Sequence, residues 1–171
     1  VTSALLPDLS NIRRLVIFHQ GALGDFLLAW PLFEAIHRSA GNGLRLDFWS
    51  KPHHVALLAS RPYAGKVLAG DGPLIAPFFH EDLWREAPLP AEAEEADAVL
   101  IFGQDGSRAL ARRLAARLSI PVVWARSFPE PGEPRHVTDA LFDHVERLGW
   151  NLEAAAPRLD PPPEAVDAVK E

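Results

Sequence analysis

Cysteine and methionine are both absent from the 171 residues. Without cysteine the chain can form no disulfide and offers no thiolate to a metal, and the compartment is left open on that count. Long apolar runs are absent as well: no stretch approaches the roughly 18 residues a membrane span needs. The opening VTSALLPDLSN has neither a basic n-region nor a long apolar h-region, so no secretory signal is expected and the cytoplasm is the expected location. The chain begins at Val1 and holds no methionine, so its initiator is expected to have been removed or to lie outside it. An excess of positive charge is also missing. Lys and Arg number 17 against 23 Asp and Glu, for a net charge of −6. That argues against non-specific nucleic-acid binding while leaving room for a local basic patch.

What remains is the composition of a globular domain, 48% hydrophobic and 23% charged, long enough to bury a substantial core. Short apolar runs predict strands at Arg14–Phe18, Leu44–Trp49, Lys66–Ala69, Ala98–Phe102 and Val122–Ala125, with the few polar interruptions expected of strands buried on both faces. Helical periodicity predicts Phe26–Ser39, Ser107–Leu118 and Val137–Leu148. Pro31 falls inside the first of these and is expected to kink it or end its first turns. Strand–helix–strand alternation predicts a doubly wound parallel α/β sheet, Rossmann-like in character.

Two segments depart from simple alternation. Asp71 to Ala96 is long for a connection and carries four prolines, the aromatics Phe78, Phe79 and Trp84, and the acidic Glu92, Glu94 and Glu95. Short helices are expected near His80–Glu86 and Ala91–Glu95, in a loop whose length suggests function. The acidic group is a candidate partner for Arg108, Arg112, Arg113 and Arg117, which are otherwise expected to form a solvated helix face. The second segment is the tail. Pro161-Pro162-Pro163 reads as a stiff linker, and Glu164–Glu171 as the start of a helix that ends as if cut. Residues 1–156 are therefore expected to form one domain and 157–171 a Pro-rich hinge into a further one.

The densest chemistry lies in Gly21-Ala22-Leu23-Gly24-Asp25, between the first strand and the first helix. In an open α/β sheet, ligands bind at the carboxyl ends of the strands. No Gly-Lys-Ser/Thr follows, so this is not a phosphate-cradling loop, and the third glycine of G-x-G-x-x-G is missing. A carboxylate at a helix mouth also occupies the positive end of the dipole that would attract a phosphate. Two readings stand. Asp25 is an N-cap, with glycines for tight backbone geometry, or it is a base facing a hydroxyl that the glycines allow close to the backbone. Lys51, His53, His54 and Arg61 follow the second strand at the same sheet edge, either as a solvated helix start or as substrate contacts. Adjacent His53 and His54 make a poor metal pair, and no metal site is expected. Gln104-Asp105-Gly106-Ser107 follows the fourth strand, with Asp105 or Ser107 as a helix cap or the group as cleft lining. His136 is expected near a helix N-terminus.

VIFHQGALGDFLLAWPLFEAIHR resembles the opening of the heptosyltransferases of lipopolysaccharide core synthesis, glycosyltransferase family 9: a strand, then G-x-x-G-D, then a helix with a proline about six residues on. The matching positions are Gly21, Gly24, Asp25, Pro31 and Ile36-His37-Arg38. His136-Val137-Thr138-Asp139 with Leu148-Gly149-Trp150 resembles the H-x-x-D…L-G element near the end of the family's first domain, and Pro157-Arg158-Leu159 resembles its hinge. The resemblance implies the N-terminal half of a GT-B enzyme, which binds the acceptor, while a missing C-terminal domain binds the nucleotide sugar. It implies Asp25 as general base in an inverting, metal-independent transfer. No cofactor is implied beyond a donor substrate such as ADP-heptose, and the implied acceptor is a glycan of lipopolysaccharide-core type. Gly21, Ala22, Leu23 and Gly24 would shape the cleft floor, with Lys51, His53, Arg61 and Gln104 against substrate. The modest basicity of the 51–61 stretch argues against a strongly phosphorylated acceptor. Peripheral association with the inner face of the inner membrane would follow. The competing expectations are a non-catalytic Rossmann-like binding module with Asp25 as a cap and, more remotely, a flavodoxin-like or receiver domain, for which the remaining acidic cluster and lysine are not evident.

Overall fold

The computed structural model describes residues 5–41 and 43–154; the expected hinge and terminal helix over 157–171 lie outside the described residues. Five strands form one parallel sheet: β1 (Arg14–His19), β2 (Arg45–Ser50), β3 (Ala64–Ala69), β4 (Ala98–Gly103) and β5 (Val122–Arg126). Five helices connect or flank them: α1 (Leu23–Ala40), α2 (Pro52–Val55), α3 (Ala91–Glu94), α4 (Arg108–Ala115) and α5 (Val137–Arg147). Single 3-10 turns lie at Leu9–Asn11, Ala56–Leu58, Ala76–Phe79, Leu83–Arg85 and Asp105–Ser107. The order across the sheet is β3-β2-β1-β4-β5. The chain thus winds outward from β1 in one direction, then returns to its other side. This is the doubly wound Rossmann-like arrangement expected from the sequence.

Period-two alternation divides the core. Leu15 and Ile17 of β1 join Leu46, Phe48, Leu100 and Phe102 in a layer with α1 and α5. Val16 and Phe18 point the other way, into a layer with Ile75, Phe78, Leu110 and Leu114. Because both faces are covered, the central strands read as unbroken apolar runs.

α1 runs without interruption through Pro31, so the expected kink or stop is not realised as a break. Proline in a helix interior costs about 3 kcal/mol. Against it stand Phe26, Trp30, Leu32, Phe33 and Ile36, each at most 1% exposed. Full burial of such side chains contributes about 1.5–3 kcal/mol apiece, so packing outweighs the proline. Three residues before Pro31, the Leu28 carbonyl accepts a hydrogen bond from the Thr138 hydroxyl of α5, at 2.9 Å.

The arginines of α4 are not simply solvated. Arg113 Nη1 donates to the Phe78 carbonyl at 2.9 Å. Arg117 Nη1, just beyond the helix, donates to the carbonyls of Trp84 and Arg85, at 2.7 Å each, and of Ala87 at 3.1 Å. These bonds pin the 71–96 connection onto the sheet by its backbone. Of the acidic partners expected for these arginines, Glu92, Glu94 and Glu95, the last turns elsewhere and pairs with Arg14 and Lys66.

One buried charge organises the amino end of the sheet. Asp47 of β2 is 1% exposed and accepts from Arg14 Nε of β1. Between Leu46 and Phe48 the β2–β3 register slips, with β3 carrying the extra residue, and the Lys66 backbone N–H donates instead to Asp47 Oδ1 at 2.6 Å. A side chain at Gly65 would collide with that oxygen. Removing Asp47 leaves the Lys66 N–H without its acceptor, while Arg14 keeps Glu95. Asp47→Ala is therefore expected to cost about 1–3 kcal/mol, read in urea as a lower midpoint at unchanged slope. A loss below about 1 kcal/mol would contradict this role for Asp47.

Candidate functional site

The sheet order reverses at β1, so the crevice between the carboxyl ends of β1 and β4 is the topological switch point at which open α/β sheets take ligands. A cleft of about 520 Å³ opens there, within the range of small-molecule sites. Phe18, Gln20 and Gly21 come from the end of β1, and Phe102, Gly103 and Gln104 from the end of β4. Gly70, Asp71 and Phe79 enter from the start of the long connection, and Ser127 and Phe128 follow β5. The connection singled out by its length thus contributes one wall.

Backbone approach shapes the cleft. Gln20 packs its amide over Gly70 so closely that a Cβ there would overlap Gln20 Nε2. That nitrogen is buried and has no hydrogen-bond partner among the described residues. Buried amide donors are seldom left unmade. The Ser107 hydroxyl is already engaged. It donates to the Gln104 carbonyl at 2.8 Å and accepts from Trp124 Nε1 at 2.7 Å. Ser107 precedes α4 without capping it through its side chain. Asp105 instead takes Arg108 and Arg126.

At the rim, α1 begins with Ala22 as N-cap and Asp25 as the third helical residue. The cap expected of Asp25 is therefore made from inside the helix, where Asp25 Oδ2 accepts from the Ala22 backbone N–H at 2.9 Å. This is the carboxylate half of a capping box. The bond occupies one oxygen of a half-buried side chain and leaves the other available.

Neither glycine of the loop has positive φ, so tight backbone geometry is not what they supply. A Cβ on Gly21 would lie 2.8 Å from both Asp25 Cβ and His19 Cε1. The missing side chain is what brings the carboxylate and the imidazole together. Around Gly24 a Cβ would meet nothing within 4 Å; nothing within the domain requires glycine there, and the space above it is open.

His19, last residue of β1, is 2% exposed. Its ring packs edge-on to Phe26, with centroids 5.6 Å apart, and Nδ1 has no partner among the described residues. Burial pushes its pKa down to about 4, opposed by the charge of Asp25 and reinforced by His54 and Lys51. His54, 3% exposed, packs on the same phenylalanine and is also lowered, chiefly by burial. The base of the site is thus a neutral, largely apolar block of two imidazoles and Phe26.

The remaining sequence candidates are distributed as follows. Gly21 and Gln104 line the cleft, and Ala22, Leu23, Gly24 and Asp25 form the turn beside it. Lys51 precedes α2 and His53 lies in it, exposed, at the end of β2; neither is among the cleft-lining residues. Arg61 meets Glu34 at 3.5 Å and stands over the Trp30 ring. Glu34 also accepts from Tyr63 Oη and Trp30 Nε1. His136 is the N-cap of α5, its Nδ1 accepting from Thr138 N–H at 3.3 Å. His19, Gln20 and Gly70 were not singled out by sequence reasoning. The only signal for the first two is their position, at the last strand residue and the one after it. Among the described residues no group of three His, Asp or Glu is placed to hold a metal, and no helix is long and apolar enough to cross a membrane.

No family model and no curated protein matches the chain. Solved structures do. A glycosyl transferase of family 9 from Veillonella parvula DSM 2008 superimposes with a TM-score of 0.64 at 16% identity, over 98% of this chain and 50% of that one. The E. coli heptosyltransferase WaaC with ADP gives a TM-score of 0.50 at 16% identity, over 81% of this chain and 48% of that one. At such identity the likeness is one of fold. The chain spans about half the length of each.

Two outcomes follow from the loop. Gly21→Ala is expected to lower stability by about 1–3 kcal/mol through overpacking. Gly24→Ala should leave it unchanged or raise it by up to about 1 kcal/mol, since alanine is the better helix former. Equal losses in urea unfolding would contradict the assignment of crowding to Gly21 alone. His19 sets a pH dependence. Above its unfolded pKa of about 6.5 neither state carries the proton. As pH falls from there to about 4, the unfolded chain binds a proton that the folded one refuses, and roughly 3 kcal/mol of stability is lost. His19→Gln should flatten that acid limb; an unchanged limb would place the titration elsewhere.

Proposed function

We propose that this chain is the acceptor-binding domain of an inverting glycosyltransferase of the heptosyltransferase type, with Asp25 as its general base. The observation that carries the reading is the placement of Asp25. It stands at the mouth of α1, with one oxygen fixed by the Ala22 N–H, beside a 520 Å³ cleft at the switch point. Two fold neighbours are glycosyltransferases about twice as long as this chain, and one of them is described with ADP.

In this reading the acceptor lies in the cleft with one hydroxyl against the free oxygen of Asp25. As the acceptor's hydroxyl oxygen attacks the anomeric carbon of a nucleotide sugar such as ADP-heptose, Asp25 takes the proton from that hydroxyl. The bond from the anomeric carbon to the diphosphate breaks on the opposite face, so the configuration inverts, and the nucleoside diphosphate carries away the electron pair. No metal enters the step. The open space over Gly24 lets the donor approach the backbone. The nucleotide is held by a second domain, entered through the hinge at 157–171, with 1–156 as the acceptor domain. The acceptor is a glycan of the lipopolysaccharide-core type, and transfer takes place on the cytoplasmic face of the membrane, with the enzyme peripherally associated.

The second reading is a Rossmann-like binding module without catalysis. The observation favouring it is that the Asp25–Ala22 bond accounts for the carboxylate as a cap.

Asp25→Asn in a two-domain protein separates the two. Asparagine keeps an oxygen for the Ala22 N–H, so stability should change by less than about 1 kcal/mol. The catalytic reading predicts that turnover falls by about 10²–10⁴-fold with nucleotide-sugar binding retained. Turnover within about threefold of the parent would leave Asp25 as a cap alone.

A further inference from the structure

We infer that the sugar entering the switch-point cleft is uncharged, free of phosphate and carboxylate, and held by apolar faces and amide groups. This inference rests on the reading of the cleft as an acceptor site and concerns what that site selects.

The argument starts from charge. Among the described residues lining the cleft, Asp71 alone carries an acidic or basic side chain, and it is exposed. A second carboxylate, Asp25, stands at the rim beside Gly21. Among the described residues no lysine or arginine lines the space. The guanidiniums at that edge are already committed. Arg126 pairs with Asp105 and Glu130, both at 3.1 Å. Arg108 pairs with Asp105 at 2.9 Å and lies over the Trp124 ring, 3.8 Å from its centroid. Arg61 faces Glu34 and Trp30 on α1. The ammonium of Lys51 is near enough to bias His19 but is not among the lining groups. An anionic sugar in the cleft would therefore meet carboxylates of its own sign with no cation among the described lining residues to offset them, and would lose hydration on entering.

The rest of the lining suits a neutral ring. Phe18, Phe79, Phe102 and Phe128 supply apolar surface. Phe79 is 45% exposed, a large aromatic still partly open to solvent. Apart from Asp71 the polar side chains are few and neutral: the amides of Gln20 and Gln104 and the hydroxyls of Ser107 and Ser127. The Nε2 of Gln20 is buried against Gly70 and the Ser107 hydroxyl is spent on Gln104 and Trp124, so the described lining residues offer a sugar few polar groups and no cationic one. A pocket that is mostly apolar, with a few placed polar groups, recognises ring shape and hydroxyl pattern rather than charge.

The test uses the 171-residue chain and matched probes: methyl glycosides of gluco, manno and galacto configuration, each beside its 6-phosphate and its uronic acid. Binding is read from NMR shifts of Gln20, Gly70, Phe79 and Gln104 at low salt, where charge effects are least screened. Neutral glycosides are expected to move these signals, with affinity at least about tenfold above that of either anionic counterpart. Asp71→Asn should narrow that gap, and Gln20→Ala should weaken neutral and anionic probes alike. Equal or tighter binding of the phosphates or uronic acids overturns the inference and leaves the cleft a sugar site. Failure of every probe to move these signals overturns the acceptor reading, and this inference with it.

Discussion

The site depends on the position of β1 in the middle of a parallel sheet. Its last residue, His19, lies in register with Ser50 of β2 on one side and Phe102 of β4 on the other. The Ser50 hydroxyl donates to the His19 carbonyl at 2.5 Å. With both edges paired, the strand cannot slide or splay where it ends, so residues 20–25 leave the sheet at a defined height and direction. The same reversal of strand order that places β4 beside β1 opens the crevice into which Gln20 and Gly21 project. The location of the cleft and the placement of the carboxylate thus have one cause.

What that position requires of the side chains is an unusual crowding. His19, Gly21 and Asp25 share a volume in which one further carbon does not fit. The imidazole beneath is buried and kept neutral, so the carboxylate above is not neutralised by an ion pair from below. Among the described residues its fixed partner is a backbone N–H at the start of its own helix, taken by one oxygen; that bond is the N3 half of a capping box, which no side chain at the N-cap could supply. The opposite end of the sheet shows the contrast. There Asp47 is saturated by Arg14 and Lys66 and acts as a structural tie.

The architecture was legible from the sequence because its signals are strong and local. Leu15–Phe18 and Val99–Phe102 are apolar without interruption, and α1, α4 and α5 carry clear helical periodicity. The switch point was legible too, since the loop at Gly21–Asp25 follows the first strand directly. What could not be read depends on tertiary neighbours. Pro31 signals a break locally, but the burial of Phe26, Trp30 and Phe33 decides otherwise. Arg113 and Arg117 read as a solvated face until the connection they clamp is folded back over them. Of the acidic run that could have paired with them, Glu95 is drawn to Arg14 and Lys66 at the amino end of the sheet. The role of Gly21 is invisible in one dimension, because the crowding arises from a residue two positions before it and another four after. The pairing of Gln20 with Gly70 joins segments fifty residues apart. The stretch 51–61 reads as a basic cluster at the cleft edge, whereas its arginine folds onto α1.

The account stands on Asp25 meeting an acceptor hydroxyl. The most direct measurement is a crystal structure of a two-domain protein containing this chain, with a neutral glycan acceptor and a donor analogue that cannot transfer. The account predicts a sugar in the switch-point cleft, with one hydroxyl about 2.6–3.2 Å from the Asp25 oxygen that does not bond Ala22, and with the anomeric carbon in line beyond it. An acceptor bound elsewhere, or seated in the cleft with no hydroxyl near Asp25, would contradict it.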